Sequence, residues 1–434
     1  LGLSSCSNDE DKNNSATARE DVLTANKTDS SMRDALGQVK VLELGGYAAG
    51  PCIGKYLADF GAEVVHLESR QQPDGFRLQY PPFKNGKVGL NLSGCFALFN
   101  DSKSAVTLNL KHPSGLALAY RLAEWADVVI ENMRPGVVAR LGLGYETLRQ
   151  RNPSLVMLST SNMGQTGPYA CHPGFGSQLS SLSGFTHFIG EPEGPPHFLY
   201  GPYVDFIAVA FGGAAVLAAL DHRRRTGESV YIDLAQYEAG LQFIGGALLD
   251  YSANGVVRGR DGNRDAAAAP HGCYPCRDGR WCVISCWDEE EWARFCRVAE
   301  KQCWLSDSRF RCLSNRKKNE KDLNNLIAGW TKELDASSIM QRLQGCKVHA
   351  AVVNTMRDLF SDPQIAFREV WQKLEHPEIG AHHYRMVGYQ LQETPGRIRR
   401  PAPCLGEHNA QVFREWLGMS ADDYQEFSDQ GAFS

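Results

Sequence analysis

"VKVLELGGYAAGPCIGKYLADFGAEVVHLES", Val39–Ser69, carries the reading of the fold. "VKVLEL" is a short apolar run closed by the glycine turn "GGYAAGP", and it predicts a buried strand. "PCIGKYLADFGA" predicts a helix, with Pro51 at its first position and Gly61 at its end. "EVVHLES" predicts a second strand. Strand, helix and strand in so short a span make a βαβ unit with parallel strands and a right-handed crossover.

The rhythm resumes after an irregular stretch, residues 70–98. "AVTLNL" reads as a strand, "HPSGLALAYRLAEWA" as a helix, "DVVIEN" as a strand, "RPGVVARLGLG" as a loop and helix, and "SLVMLST" as a strand. Alternating strands and helices predict a doubly wound α/β domain. Glycine- and serine-rich loops over 161–202 lead to a long apolar helix. "SVYIDLA" then reads as another strand, and "QYEAGLQFIGGALLDY" as one helix. "SANGVVRGRDGNRDAAAAPHG" is a linker. "GCYPCRDGRWCVISCW" has strand-turn-strand character with "RDG" as the turn, and helices follow, so a smaller α+β domain is expected. The expected organisation is a disordered segment over 1–35, a large Rossmann-like domain over 36–250, a small α+β domain over 265–375, and a return to the large domain over 390–434.

The 434 residues are 43% hydrophobic and 22% charged, with a net charge of −5. That is a globular balance, and it offers no basic field for nucleic acid. No apolar run reaches the roughly 18 residues of a membrane span. The helix after Asp205 comes nearest, but Gly212, Gly213, Ala214, Ala215 and the basic end "HRRR" suit a packed core helix. Thirteen cysteines, seven of them between Cys273 and Cys312, read as reduced thiols of a cytoplasmic protein. Leu3-Ser4-Ser5-Cys6 has the form of a lipoprotein cleavage box, but no full apolar segment precedes it, and a truncated start is the expected reading. The polar residues that follow are expected to be disordered.

The motifs have plain structural readings. Gly45-Gly46-Tyr47-Ala48-Ala49-Gly50 opens a helix after a strand, a geometry that suits phosphate, yet it is not G-x-G-x-x-G and holds no P-loop lysine. Close backbone packing is the expected role. Cys273, Cys276, Cys282 and Cys286, with His271 nearby, offer a C-x-x-C pair. The later spacing is wrong for a second knuckle, and alternation along a strand suits buried cysteines better than zinc. Arg223, Arg224 and Arg225 before Thr226-Gly227 suit a helix end. "RIRRPAP" fits a phosphate or a solvated loop. Asp205 stands before the apolar helix. A cap is its ordinary reading, contributing about 1 kcal/mol. The alternative is a carboxylate nucleophile, held ionised by helix N–H groups and partly shielded from water, which can attack an acyl thioester.

Several segments resemble the family III CoA-transferases, the class that includes formyl-CoA, carnitine and benzylsuccinate CoA-transferases. They are "VLELGGYAAGPCIGKYLADFGAEVVHLE", "FNDSKSAVTLNLKHPSG", "ADVVIENMRPGVVARLGLGYETLRQRNPSLV", "GQTGPY", "AALDHRRRTGESVYIDLAQYEA" and the closing "ETPGRIRRPAPCLGEHN". The likeness runs from about Val39 to Phe433. It implies a Rossmann-like large domain built from both chain ends, a smaller domain between, and two chains interlocked like links.

The resemblance implies that Asp205 is the nucleophile of an exchange that moves CoA from an acyl-CoA thioester to a free carboxylic acid. The steps run through aspartyl anhydride and aspartyl-CoA thioester intermediates, with no metal and no permanently bound cofactor. It implies further that Asn132 and Arg140 bind CoA, that Arg70 substitutes for a family arginine whose place holds Ser69, and that Lys111, beside Leu110, fits the pocket edge. Leu110 and Met133, next to Lys111 and Asn132, are expected to contact CoA with them. Tyr47, Ala48 and Ala49 would line the active site. Formyl-CoA transferase has a glutamine where Ala48 stands, so oxalate-type chemistry is not expected and an apolar entrance suits a larger acyl group.

Related α-methylacyl-CoA racemases share the aspartate but add a histidine where this chain has Phe175, and an acid often stands at Gly176. A lone aspartate makes a poor proton shuttle, so transferase is preferred over racemase. "APHGCYPCRDGRWCVIS" and "DEEEWARFC" look closest to the benzylsuccinate type, which implies an aromatic or dicarboxylic substrate. Assembly as a homodimer, or as a heterodimer with a related subunit, is implied. A non-catalytic partner subunit is the third reading.

Overall fold

A computed structural model describes residues 34–434. The expectations for the polar N-terminal segment and for Leu3-Ser4-Ser5-Cys6 lie outside the described residues. Asp34 opens the described chain and pairs with Arg397 at 3.2 Å.

Six strands form one parallel sheet: β1 (Lys40–Leu44), β2 (Glu63–Glu68), β3 (Ser104–Thr107), β4 (Val128–Glu131), β5 (Val156–Ser161) and β6 (Val230–Ala235), in the order 3-2-1-4-5-6. Every pairing between them is parallel, as the strand-helix rhythm predicts. This is the Rossmann order, whose direction of growth reverses between β1 and β4. Successive side chains point to opposite faces of a strand, and both faces here are covered, so the strands are apolar almost throughout. On one face Leu42, Val65, Val106, Val129 and Met157 pack on helix α2 (Pro113–Trp125) through Leu118 and Leu122. Val412, Phe413 and Phe433 complete that same core, so the C-terminus returns to the sheet. On the other face Val41, Val64, Val128 and Leu158 pack on helix α1 (Ala49–Asp59) through Ile53 and Leu57.

Helix α1 begins two residues earlier than expected, at Ala49. Pro51 still falls within the first turn, where N–H groups have no intrahelical partner to lose. The 161–202 region, expected as loops, contains helix α3 (Gly176–Leu182) and a short turn of helix at Phe185–Phe188. Its high serine and glycine content hides the helical spacing. Helix α4 (Tyr203–Thr226) is long and apolar enough to cross a membrane by length and composition, contrary to the expectation from run length. Val209 and Val216 pack it into the sheet core, and Gly212 meets Ile53 of α1 where a Cβ would overlap. The single helix expected after β6 is broken into α5 (Gln236–Leu241), a 3-10 turn, and α6 (Gly245–Asn254).

Beyond the linker, β7 (His271–Pro275), β8 (Trp281–Ser285) and β9 (His349–Val352) form an antiparallel sheet in that order. Trp292, Phe295, Ile327, Ile339 and Leu343 from the intervening helices fill its core. Cys276, Cys282, Cys286 and Cys296 lie in that core as small apolar side chains. The described cysteines are free thiols. A hairpin, β10 (Trp371–His376) and β11 (Gly380–Arg385), packs Ile379 and Tyr384 against Phe96, Ala97, Ile398 and Ala402.

Candidate active site

The carboxyl ends of β1 and β4 flank the point where the strand order reverses, the usual place for a ligand crevice in such a sheet. The turn after β1 is tied to the end of β4 by one side chain. Gly46 N–H donates to Asn132 Oδ1 at 3.1 Å, and Asn132 Nδ2 donates to the Gly46 carbonyl at 2.7 Å. Gly45 has φ +122 and approaches Asn132 so closely that a Cβ would overlap its Oδ1, so only glycine fits there. Tyr47 follows with φ +63, a left-handed backbone costing a residue with a Cβ roughly 1–2 kcal/mol. Its N–H donates to Asp74 Oδ1 at 3.0 Å, and its hydroxyl donates to Gln79 at 2.9 Å.

Asp205 is the third residue of α4, and Pro202 holds the cap position. Asp205 makes no side-chain capping bond, and no other protein hydrogen bond reaches its carboxylate among the described residues. Both local expectations for this residue therefore change: it is not a cap, and helix N–H groups do not hold it ionised. Its carboxyl opens onto a cleft of about 590 Å³ that also takes in Tyr47, Ala48, Ala49, Asn132 and Phe175. Burial pushes its pKa up to about 7, since desolvation is the one cause of the shift and no hydrogen bond or ion pair to the carboxylate offsets it. Gly176 abuts it. A Cβ at 176 would stand 2.9 Å from Asp205 Oδ2 and overlap Pro202, so the acid that the racemase resemblance places at this position has no room here.

A second groove, of about 390 Å³, runs under the ends of β2 and β3 and shares Gly45, Gly46, Tyr47 and Met133 with the cleft. Ser69, Leu110 and Lys111 line it. Lys111 has no carboxylate partner among the described residues. The structure thus gathers Asp205, Tyr47, Ala48, Ala49, Asn132, Met133, Leu110 and Lys111 around two joined cavities. Arg70 and Arg140 stand apart from both. The Arg70 guanidinium lies beside Gly406, and Arg140 is an exposed residue beside Gly136. Ser69, not Arg70, faces the groove. Asn132 is present, but its amide is engaged with Gly46, so it shapes the turn.

Sequence reasoning passed over Arg134 and His172, which both line the Asp205 cleft. Arg134 forms no ion pair among the described residues. Its signal was its place two residues after Asn132 in "ENMRPG". His172 sits three residues before Phe175, in a loop with no periodicity to mark it. A separate cavity of about 460 Å³, between the linker and β7, does not include Asp205. No cluster of three metal-ligating side chains occurs among the described residues.

The sequence model of CoA-transferase family III matches residues 36–409. The chain is 33% identical to a succinyl-CoA–D-citramalate CoA-transferase of Chloroflexus aurantiacus, over 89% of this chain and 95% of that protein. It is 32% identical to a succinyl-CoA–L-malate CoA-transferase beta subunit of the same organism, over 88% and 94%. Among solved structures, a CaiB/BaiF family protein from Brucella suis superposes with a TM-score of 0.81 at 29% identity, covering 88% of this chain and 99% of that one.

Proposed function

The chain belongs to CoA-transferase family III, and on that premise we propose that it moves CoA from an acyl-CoA to a free carboxylic acid through covalent intermediates on Asp205. The observation that carries the mechanism is the unpaired Asp205 carboxylate at the floor of a cleft continuous with a second groove. An Asp205 oxygen attacks the thioester carbonyl, forming a mixed anhydride and releasing CoA thiolate. The thiolate attacks the aspartyl carbonyl, giving an aspartyl-CoA thioester and the free donor acid. The acceptor carboxylate then attacks that thioester, forming a second anhydride and freeing the thiolate. Attack of the thiolate on the acceptor carbonyl yields the new acyl-CoA and restores Asp205. Covalent capture divides one difficult exchange into easier acyl transfers. A poorly solvated carboxylate is a stronger nucleophile than one in water, which suits the first step.

We assign the groove under β2 and β3 to CoA and the Asp205 cleft to the acyl group. Lys111 would answer phosphate charge in the groove, and Arg134 would answer the acid at the cleft. Succinyl-CoA is the first donor to test, since relatives are named for it, and a dicarboxylic or aromatic acid is the acceptor class. Exposed apolar side chains on α4 and α6, among them Phe206, Phe211, Leu248 and Leu249, support an interlocked assembly of two chains. Free thiols support a reducing, cytoplasmic setting.

The test is to incubate the protein with succinyl-CoA, quench with hydroxylamine, and map the modified peptide by mass. A hydroxamate on Asp205 is expected. Its absence across a panel of acyl-CoAs would overturn the reading for the chain alone. The reading of this chain as one of two unlike subunits is favoured by the beta-subunit relative. It predicts that activity appears only when a second related chain is added. A racemase would instead exchange the substrate α-proton with deuterated solvent.

A further inference from the structure

We infer that Asp74 is a positioning residue for the exchange, acting through the backbone of Tyr47. The inference rests on the assignment of the two cavities to CoA and to the acyl group. Tyr47 lines both cavities, with Gly45, Gly46, Gln72, Met133 and Val137, so it stands where they join. A thioester with its CoA in the groove and its carbonyl at Asp205 spans that junction, where Tyr47 is the one aromatic residue.

The ring's place depends on a left-handed backbone that a tyrosine adopts only where its surroundings hold it. Asp74 supplies the hold. Its Oδ1 accepts from the Tyr47 N–H at 3.0 Å and from the Phe76 N–H at 2.8 Å. Its own N–H donates to Glu68 Oε1 at 3.0 Å. Glu68 ends β2 and is gripped by Arg77 through both of its oxygens, at 2.8 and 2.7 Å. The Tyr47 backbone is thereby indexed to the sheet. Gly75, next in sequence to Asp74, leaves the space that the Tyr47 ring fills, since a Cβ there would overlap the ring. Phe76 and Phe175 meet the ring edge-on at 5.4 and 5.9 Å.

Asp74 is itself buried, and its second oxygen, Oδ2, has no hydrogen-bond partner. The nearest polar atom recorded for it is His66 Nε2 at 3.8 Å, which also lacks a partner. A buried carboxylate with one oxygen spent on two backbone N–H groups and the other unsatisfied carries a desolvation cost. Retaining it is explained by what Oδ1 holds.

The experiment combines equilibrium titration with CoA and steady-state exchange kinetics. Asp74→Ala is expected to lower kcat/KM by about 10-fold or more, and Asp74→Asn, whose oxygen still accepts both N–H groups, to stay within about 3-fold of wild type. In a Tyr47→Gly background, where glycine takes the left-handed backbone freely, Asp74→Ala should add less than about 2-fold. Full multiplication of the two losses would overturn the inference, because Asp74 would then act independently of Tyr47. If Asp74→Ala does not fold, Gly75→Ala decides: it displaces the ring and leaves the carboxylate intact. Loss of exchange in Gly75→Ala with native melting supports the inference, and wild-type kinetics would overturn it. A wild-type protein that binds no CoA in the titration would overturn the functional reading, and this inference with it.

Discussion

The Asp205 carboxylate rests against Gly176, with so little space that a Cβ at 176 would lie 2.9 Å from Oδ2 and overlap Pro202 at the mouth of α4. One added methyl group would have to displace the nucleophile or the start of its helix. Gly176→Ala should therefore cut turnover by about 10-fold or more while costing about 1–3 kcal/mol of stability, the usual range for overpacking. Exchange kinetics beside urea melts check it. Wild-type turnover in Gly176→Ala would show that the cleft floor yields.

The pH profile follows from Asp205 itself. Burial holds its pKa near 7, and attack on a thioester needs the ionised form. The free enzyme's kcat/KM should rise with pH through about 7 and level off above it. A profile flat from pH 5 to 8 would count against Asp205 as the group that must lose a proton.

The same shift has a stability consequence of opposite sense. The folded pKa, about 7, lies above the unfolded value near 3.9, so the native state binds more protons between those limits. Stability contributed by this group is therefore lost as pH rises through that window. Asp205→Asn removes the effect. The variant should melt above wild type at pH 8, and the gap should shrink toward zero as pH falls to about 4. Urea melts of both proteins at pH 8 and at pH 5 measure it; a constant gap would show that burial does not burden the carboxylate.

The cysteines of the small sheet should answer to packing and not to metal. Cys282 and Cys286 are fully buried among Trp292, Phe295 and Ile284. Cys282→Ser puts a hydroxyl into that core and should cost about 1–3 kcal/mol. EDTA treatment should leave melting and exchange unchanged. A lower melting temperature after chelation, restored by zinc, would reverse this assignment.

Much of the architecture was legible because its signals are local. The strands of the large sheet announce themselves as short apolar runs, β1 closed by the turn Gly45-Gly46, and "GLALAYRLAEW" shows its helical spacing openly. The exceptions have physical causes. Serines and glycines masked α3 from any periodic reading. Helix α4 was placed by its apolar residues, but its start at Tyr203 puts Asp205 inside the first turn, and that removed both the capping role and the helix N–H bonds expected of it. Composition could not show this, because a helix's first residue is set by what packs against it.

The sequence by itself determined the alternation of strands and helices, the turn glycines, and the residue types able to act as nucleophile and wall. Only the tertiary structure decided which of them meet. Ser69 and Arg70 are neighbours in the chain, yet one faces the groove and the other lies by Gly406, because the chain bends away from the sheet as soon as β2 ends at Glu68. Asp205 and Gly176 are far apart in sequence and in contact in space. The raised pKa of that carboxylate belongs to neither residue alone. It comes from the loops and helices that exclude water around it, and hydration is a property of the folded surface.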